Sequence, residues 1–105
     1  MSEVQSVGVI GLGSMGMGAA KSCVRAGLDV YGFDLNAQAL EELGSFGAKA
    51  VSTNAVEFAD QLDSVLVLVV NAQQVNTVLF KTGLAAALKP NTPVMVCIQI
   101  KKVIM

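Results

Sequence analysis

Val7-Gly8-Val9-Ile10-Gly11-Leu12-Gly13-Ser14-Met15-Gly16 is the stretch from which the rest of the chain is read. An apolar run stops at Gly11, glycines follow at the spacing G-x-G-x-x-G, and a helical pattern begins at once. Each glycine has its own physical reason to be there. Gly11 lets the chain turn sharply out of a strand. Gly13, with no Cβ, lets backbone approach a pyrophosphate, and Gly16 lets the new helix pack close to a sheet. The helix start at Ser14 and Met15 then aims unpaired N–H groups and the positive end of its dipole at the phosphates. At an average glycine usage of ~7% this spacing arises by chance at roughly 3 in 10,000 positions. The alternative is an ordinary turn with close helix packing, so the flanking elements must carry the assignment.

Ser6 to Ile10 reads as a strand and Ser14 to Ala26 as a helix, with Ala19, Ala20, Cys23 and Val24 inward and Lys21 and Arg25 outward. Gly27 is a good residue to close it. Val30 to Asp34 is a second strand. Asn36 caps a helix to about Leu43, with Leu40 and Leu43 facing in, and Gly44 and Gly47 break it. Ala48 to Val51 is a short strand, and Asn54 with Glu57 is a capping signal for a short helix through Gln61. Ser64 to Val70 is continuously apolar and β-branched after its first residue, as a strand buried on both faces should be. A helix over 73–80 follows, then a helical turn from Leu84 to Leu88, a Pro90–Pro93 turn, and a strand opening at Val94-Met95-Val96. Strands alternate with helices over short connections. This predicts one α/β domain with a parallel sheet, right-handed crossovers and helices on both faces.

The context supplies what the glycines lack. The second strand ends in Asp34, 23 residues after Gly11. A dinucleotide fingerprint places an acid about 20 residues on, to accept the adenosine ribose hydroxyls. A carboxylate there repels a 2′-phosphate, and Leu35-Asn36 offers no arginine to grip one, so NAD is favoured over NADP. A solvated strand end is the plainer account of Asp34. Glycine loop plus strand-end acid also fits FAD or S-adenosylmethionine, and spacing alone leaves those open. Val70-Asn71, at the carboxyl end of its strand, should face the same cofactor.

Composition narrows the class. The chain has 105 residues, a net charge of −1 and no histidine, which removes the commonest general base and zinc ligand. No metal site is expected. The absence of a basic cluster argues against nucleic acid, and no apolar run approaches a membrane span. With no secretory pattern, Cys23 and Cys97 read as reduced thiols in a cytoplasmic protein. The mean hydropathy of +0.62 is high. Either both sheet faces are buried, or an exposed apolar face associates with another molecule, a second copy included.

Gly11-Leu12-Gly13-Ser14-Met15-Gly16-Met17-Gly18 goes beyond a generic fingerprint. With Ala19-Ala20-Lys21, Asp34-Leu35-Asn36 and Leu68-Val69-Val70-Asn71 it resembles the β-hydroxyacid dehydrogenases, the 3-hydroxyisobutyrate dehydrogenase-like family, and within it the L-threonate dehydrogenase branch. The resemblance runs from about Val7 to Val96. It implies a Rossmann-like NAD-binding domain over 1–96. It implies cofactor contacts from Gly11, Leu12, Gly13, Ser14, Met15, Gly16, Asp34, Leu35, Val70, Asn71 and Val75.

Two departures from the family qualify what the resemblance implies. The family's strand normally runs into a Ser-Ser-Thr type segment that touches substrate and nicotinamide. Here 97–105 reads Cys97-Ile98-Gln99-Ile100-Lys101-Lys102-Val103-Ile104-Met105, a tail foreign to that pattern, as after a frameshift or truncation. The family's catalytic lysine and helical second domain lie downstream, and neither Lys101 nor Lys102 sits in the lysine motif. No catalytic residue is assigned. The expectation is an NAD-binding half, inactive alone. The alternatives are a non-catalytic nucleotide-binding or oligomerisation module, or a folded remnant.

Overall fold

A computed structural model describes residues 5–69 and 83–98. The expected helix over 73–80 and the site residues Val70, Asn71 and Val75 lie outside them. Strand β1 spans Ser6–Ile10, helix α1 Ser14–Arg25, β2 Asp29–Phe33, α2 Ala37–Phe46 and β3 Ala50–Ser52. A 3₁₀ helix covers Ala55–Gln61, followed by β4 Ser64–Val69, the short helix α3 Leu84–Ala87 and β5 Val94–Ile98. The strands form one sheet in the order β3-β2-β1-β4-β5, and every pairing is parallel. This is the expected Rossmann-like α/β architecture.

Strand periodicity assigns the two faces. Val7 and Val9 of β1, Val30 of β2, and Leu66 and Leu68 of β4 point to the side covered by α1 and α2, where they meet Ala20, Leu40 and Leu43. Ile10, Tyr31, Phe33, Val65 and Val67 point to the other side, under Ala59, Leu62 and Leu84. The strands are therefore apolar at successive positions because both faces are covered. Two glycines in the strands act as seats. Leu43 presses onto Gly32 and Leu62 onto Gly8, at places where a Cβ would collide with the leucine. Helix and sheet approach closely there, and neither glycine can be enlarged without moving a fully buried leucine.

Most boundaries fall within two residues of expectation, with physical reasons where they differ. Asp34 lies one residue beyond β2 rather than at its end. Asn36 caps α2 as expected, its side chain accepting the Gln38 and Ala39 N–H groups. Gly44 does not break α2; the helix runs through it to Phe46 and stops at Gly47, whose φ of +129° is a conformation L-residues rarely adopt. Lys21 and Arg25 lie on the outer side as expected, and Arg25 is exposed. Both lie against the Phe46 ring, at 5.2 and 5.3 Å from its centroid. They fasten α1 to the end of α2.

At the end of the strands opposite the glycine loop, Asp63 ties three segments together. Its Oδ2 accepts the Ser6 N–H at 2.8 Å, and its Oδ1 accepts from Lys89 Nζ at 3.3 Å. The Ser6 N–H, then Lys89, hold this carboxyl below its usual value of 3.8. A depressed folded-state value means the stabilisation is fully present above the unfolded value and disappears as pH falls below 3.8. Asp63→Asn is therefore expected to lower the melting temperature at neutral pH. The difference from the parent chain should shrink as the buffer is acidified below that point, and a difference independent of pH would refute the lock.

Candidate functional site

The strand order places β1 at the centre of the sheet, with β2 on one side and β4 on the other. The chain therefore reverses its direction of winding beside β1, and the loop leaving β1 opens into the crevice at that switch point. Gly11 makes the turn with φ +94°, its N–H still donating to the Phe33 carbonyl at 2.9 Å. A Cβ on Gly11 would overlap the Leu68 carbonyl, and a Cβ on Gly16 would overlap the Gly11 carbonyl. The first turn of α1 is thus pressed directly onto the loop that precedes it. Gly13 differs from both. It occupies the N-cap of α1 with extended backbone, and a Cβ built on it would meet nothing within 4 Å.

Open space at Gly13 is what an incoming phosphate requires. The N-cap offers no side-chain acceptor to the first N–H groups of α1, and the first turn carries no acidic residue to compete with an anion. A pyrophosphate fits this cradle.

Asp34 is bound more firmly than its place in the sequence suggests. One carboxylate oxygen accepts the Leu12 N–H at 2.6 Å and the other accepts the Asn36 N–H at 2.9 Å. The acid therefore bridges the glycine loop and the start of α2, and it arrives preoriented. Each carboxylate oxygen keeps lone-pair capacity for a further donor such as a ribose hydroxyl.

The other expected contacts sort by exposure. Leu12 is buried and its side chain belongs to the core under α1 and α2. Met15 is exposed at the start of α1, and Leu35, at 87% exposure, projects beside Asp34. The backbone of Ser14 opens α1.

Sequence reasoning missed the groove beside this cradle. A shallow opening of about 520 Å³ runs between α1 and α2, bordered by Gly13, Gly18 and Lys21 on one side and Asn36, Gln38 and Glu42 on the other. Lys21 Nζ donates to Glu42 Oε2 at 2.7 Å across it. A pair 21 residues apart on two helices has no signature in a single sequence. Among the described residues there is no cluster of three or more metal-ligating side chains, and no helix is long and apolar enough to cross a membrane.

A family model described as the NAD binding domain of 6-phosphogluconate dehydrogenase matches residues 6–102. The L-threonate dehydrogenase of Haemophilus influenzae is 62% identical over 92 residues, covering 87% of this chain and 31% of that protein. A crystal structure of 3-hydroxyisobutyrate dehydrogenase from Salmonella typhimurium superposes with a TM-score of 0.86 at 49% identity, over 91% of this chain and 33% of that one. The 3-hydroxyisobutyrate dehydrogenase of Mycobacterium tuberculosis, solved with L-serine, gives a TM-score of 0.83 at 26% identity over 93% of this chain and 33% of that one. The chain thus spans about a third of the length of each of these relatives.

Proposed function

The chain belongs to the family of the NAD binding domain of 6-phosphogluconate dehydrogenase, and on that premise we propose that it holds NAD for a hydroxyacid dehydrogenase of the L-threonate or 3-hydroxyisobutyrate type. The observation that carries this is the open cradle at Gly13, joined through Asp34 to the start of α2. In this assignment the backbone from Gly11 to Gly16, with Ser14 and Met15, receives the pyrophosphate. Asp34 accepts the adenosine ribose hydroxyls, and exposed Leu35 lies against the adenosine. Val70, Asn71 and Val75, which lie outside the described residues, are further cofactor contacts that the family pattern implies.

Bound NAD supplies a hydride acceptor, and the parent reaction removes hydride from a hydroxyl-bearing carbon of a small sugar acid or hydroxyacid. The described residues bind and orient rather than move protons. Asp34 already accepts two backbone N–H groups, and Lys21 is paired with Glu42. Neither is set to take a proton from substrate, so these residues are proposed to hold coenzyme rather than to carry the chemical step. A cytoplasmic location, where NAD is available and the free Cys23 stays reduced, goes with this assignment.

Calorimetric titration of Asp34→Ala tests it. The variant loses two backbone hydrogen bonds to a carboxylate and the ribose contact. NAD affinity is expected to fall about tenfold or more, the worth of one hydrogen bond to a charged group. A folded Asp34→Ala protein that binds NAD as tightly as its parent would contradict the ribose role.

One observation favours a second reading, self-association. On the edge strand β5, Val94, Met95 and Val96 are 36%, 61% and 40% exposed. Such an apolar edge pairs readily with another chain. Light scattering that finds only monomer at every concentration would remove it.

A further inference from the structure

The groove between α1 and α2 ends at the cradle on one side and at a cation on the other. Gly13 and Asn36 border it near Asp34, whose carboxylate holds the N–H groups of Leu12 and Asn36. Lys21 borders it further along, the one cationic residue among the described residues of the lining. That cation already has an anionic partner. Its Nζ is bound to Glu42 Oε2 at 2.7 Å, and the Phe46 ring centroid lies 5.2 Å from it.

The helix start of α2 offers no substitute. The Asn36 side chain already accepts the Gln38 and Ala39 N–H groups. The glycines on the α1 side leave room, since a Cβ on Gly13 or on Gly18 would meet nothing within 4 Å. The groove is therefore spacious, borders the cradle at Gly13 and Asn36, and sets the Glu42 carboxylate against its lysine.

We propose that Glu42 is a second determinant of coenzyme choice: by neutralising Lys21 it closes an anion seat in the α1–α2 groove that would otherwise receive the 2′-phosphate of an NADP-type dinucleotide. The inference rests on the NAD assignment above and adds a residue to it. Asp34 rejects the phosphate at the ribose. Glu42 removes the one lysine in the groove that would repay the phosphate for losing its water. The two act on the same group by different means, so the effect of releasing Lys21 is separable from any change at Asp34.

The adenosine halves of the two dinucleotides isolate this term. Dissociation constants for 2′,5′-ADP and 5′-AMP are measured on the full chain, on Glu42→Gln and on the double variant Lys21→Gln/Glu42→Gln. Lys21–Glu42 is a partly exposed ion pair, so its loss leaves the fold standing. In Glu42→Gln the preference for 2′,5′-ADP relative to 5′-AMP should rise about tenfold, the worth of one charge-assisted hydrogen bond. The gain should shrink at high ionic strength, and the double variant should lose it.

An unchanged ratio in Glu42→Gln overturns the proposal. So does a gain that survives in the double variant, which would make it a general charge effect without Lys21. If the parent chain binds neither 5′-AMP nor NAD, the NAD assignment itself fails, an outcome distinct from the other two.

Discussion

Gly16→Ala is expected to destabilise the domain severely. A Cβ at this position would overlap the Gly11 carbonyl oxygen. Backbone lies on both sides of the clash. No flexible side chain can swing away, and the Leu68 Cβ stands 3.7 Å away on the same side. Relief requires moving α1 off the loop. That separates Ala20 and the half-buried Met17, Cys23 and Val24 from Val7, Val9 and Val30. Overpacking with backbone displacement costs about 3 kcal/mol or more, against a total stability of roughly 5–15 kcal/mol for a domain of this kind. A melting temperature lowered by about 10 °C or more is the expected reading. A Gly16→Ala protein that melts like its parent would mean that the loop and helix are not packed as described.

Gly13→Val should do the opposite. The site has space for a side chain, and its φ of −68° is ordinary for any L-residue. Valine is a poorer N-cap than glycine, so stability should fall by about 1 kcal/mol and the fold should persist. The branched side chain, however, fills the space through which a phosphate reaches the first N–H groups of α1. NAD affinity should drop about 100-fold, the loss of two charge-assisted hydrogen bonds. Far-ultraviolet circular dichroism confirms the fold and calorimetry reads the affinity. Retained NAD affinity in Gly13→Val would remove the cradle from the binding account. Together the two variants test the separate roles expected of these glycines: Gly16 serves the packing, and Gly13 serves the ligand.

Much of this domain was legible because its local and long-range signals agree. The β-branched run of β1 stops at a glycine that must adopt φ +94°, and Asn36 caps α2 because its carbonyl oxygen reaches the Gln38 and Ala39 N–H groups. Leu40 and Leu43 face inward at helical spacing, and both are buried. The signals that failed were those decided by tertiary contact. Gly44 costs α2 about 1 kcal/mol of propensity, yet the helix continues because Phe46 docks against Lys21 and Arg25. Asn54 caps the 3₁₀ helix that runs to Gln61 as expected, and only the Glu57 half of the capping box departs, its carboxylate accepting from the nearby Ser52 Oγ. That same Ser52 oxygen, rather than Glu57, accepts the Asn54 N–H, and Asn54 accepts the Val56 N–H.

The candidate site divides along the same line. The glycines, Asp34 and their spacing are local pattern and were readable. That Asp34 grips Leu12, and that Lys21 meets Glu42 across a groove, depends on how two helices lie side by side on the sheet. A single sequence does not encode that juxtaposition at any fixed spacing.

Titration of the 105-residue chain with NAD tests the central claim most directly. Ligand that binds only the folded state raises the melting temperature by mass action, with the stabilisation growing as the logarithm of free ligand above the dissociation constant. The cradle at Gly13 and the preoriented Asp34 predict a saturable, single-site heat of binding and a melting temperature that climbs with NAD. A chain that is folded by circular dichroism, yet shows neither binding heat nor any rise in melting temperature at millimolar NAD, would contradict the account.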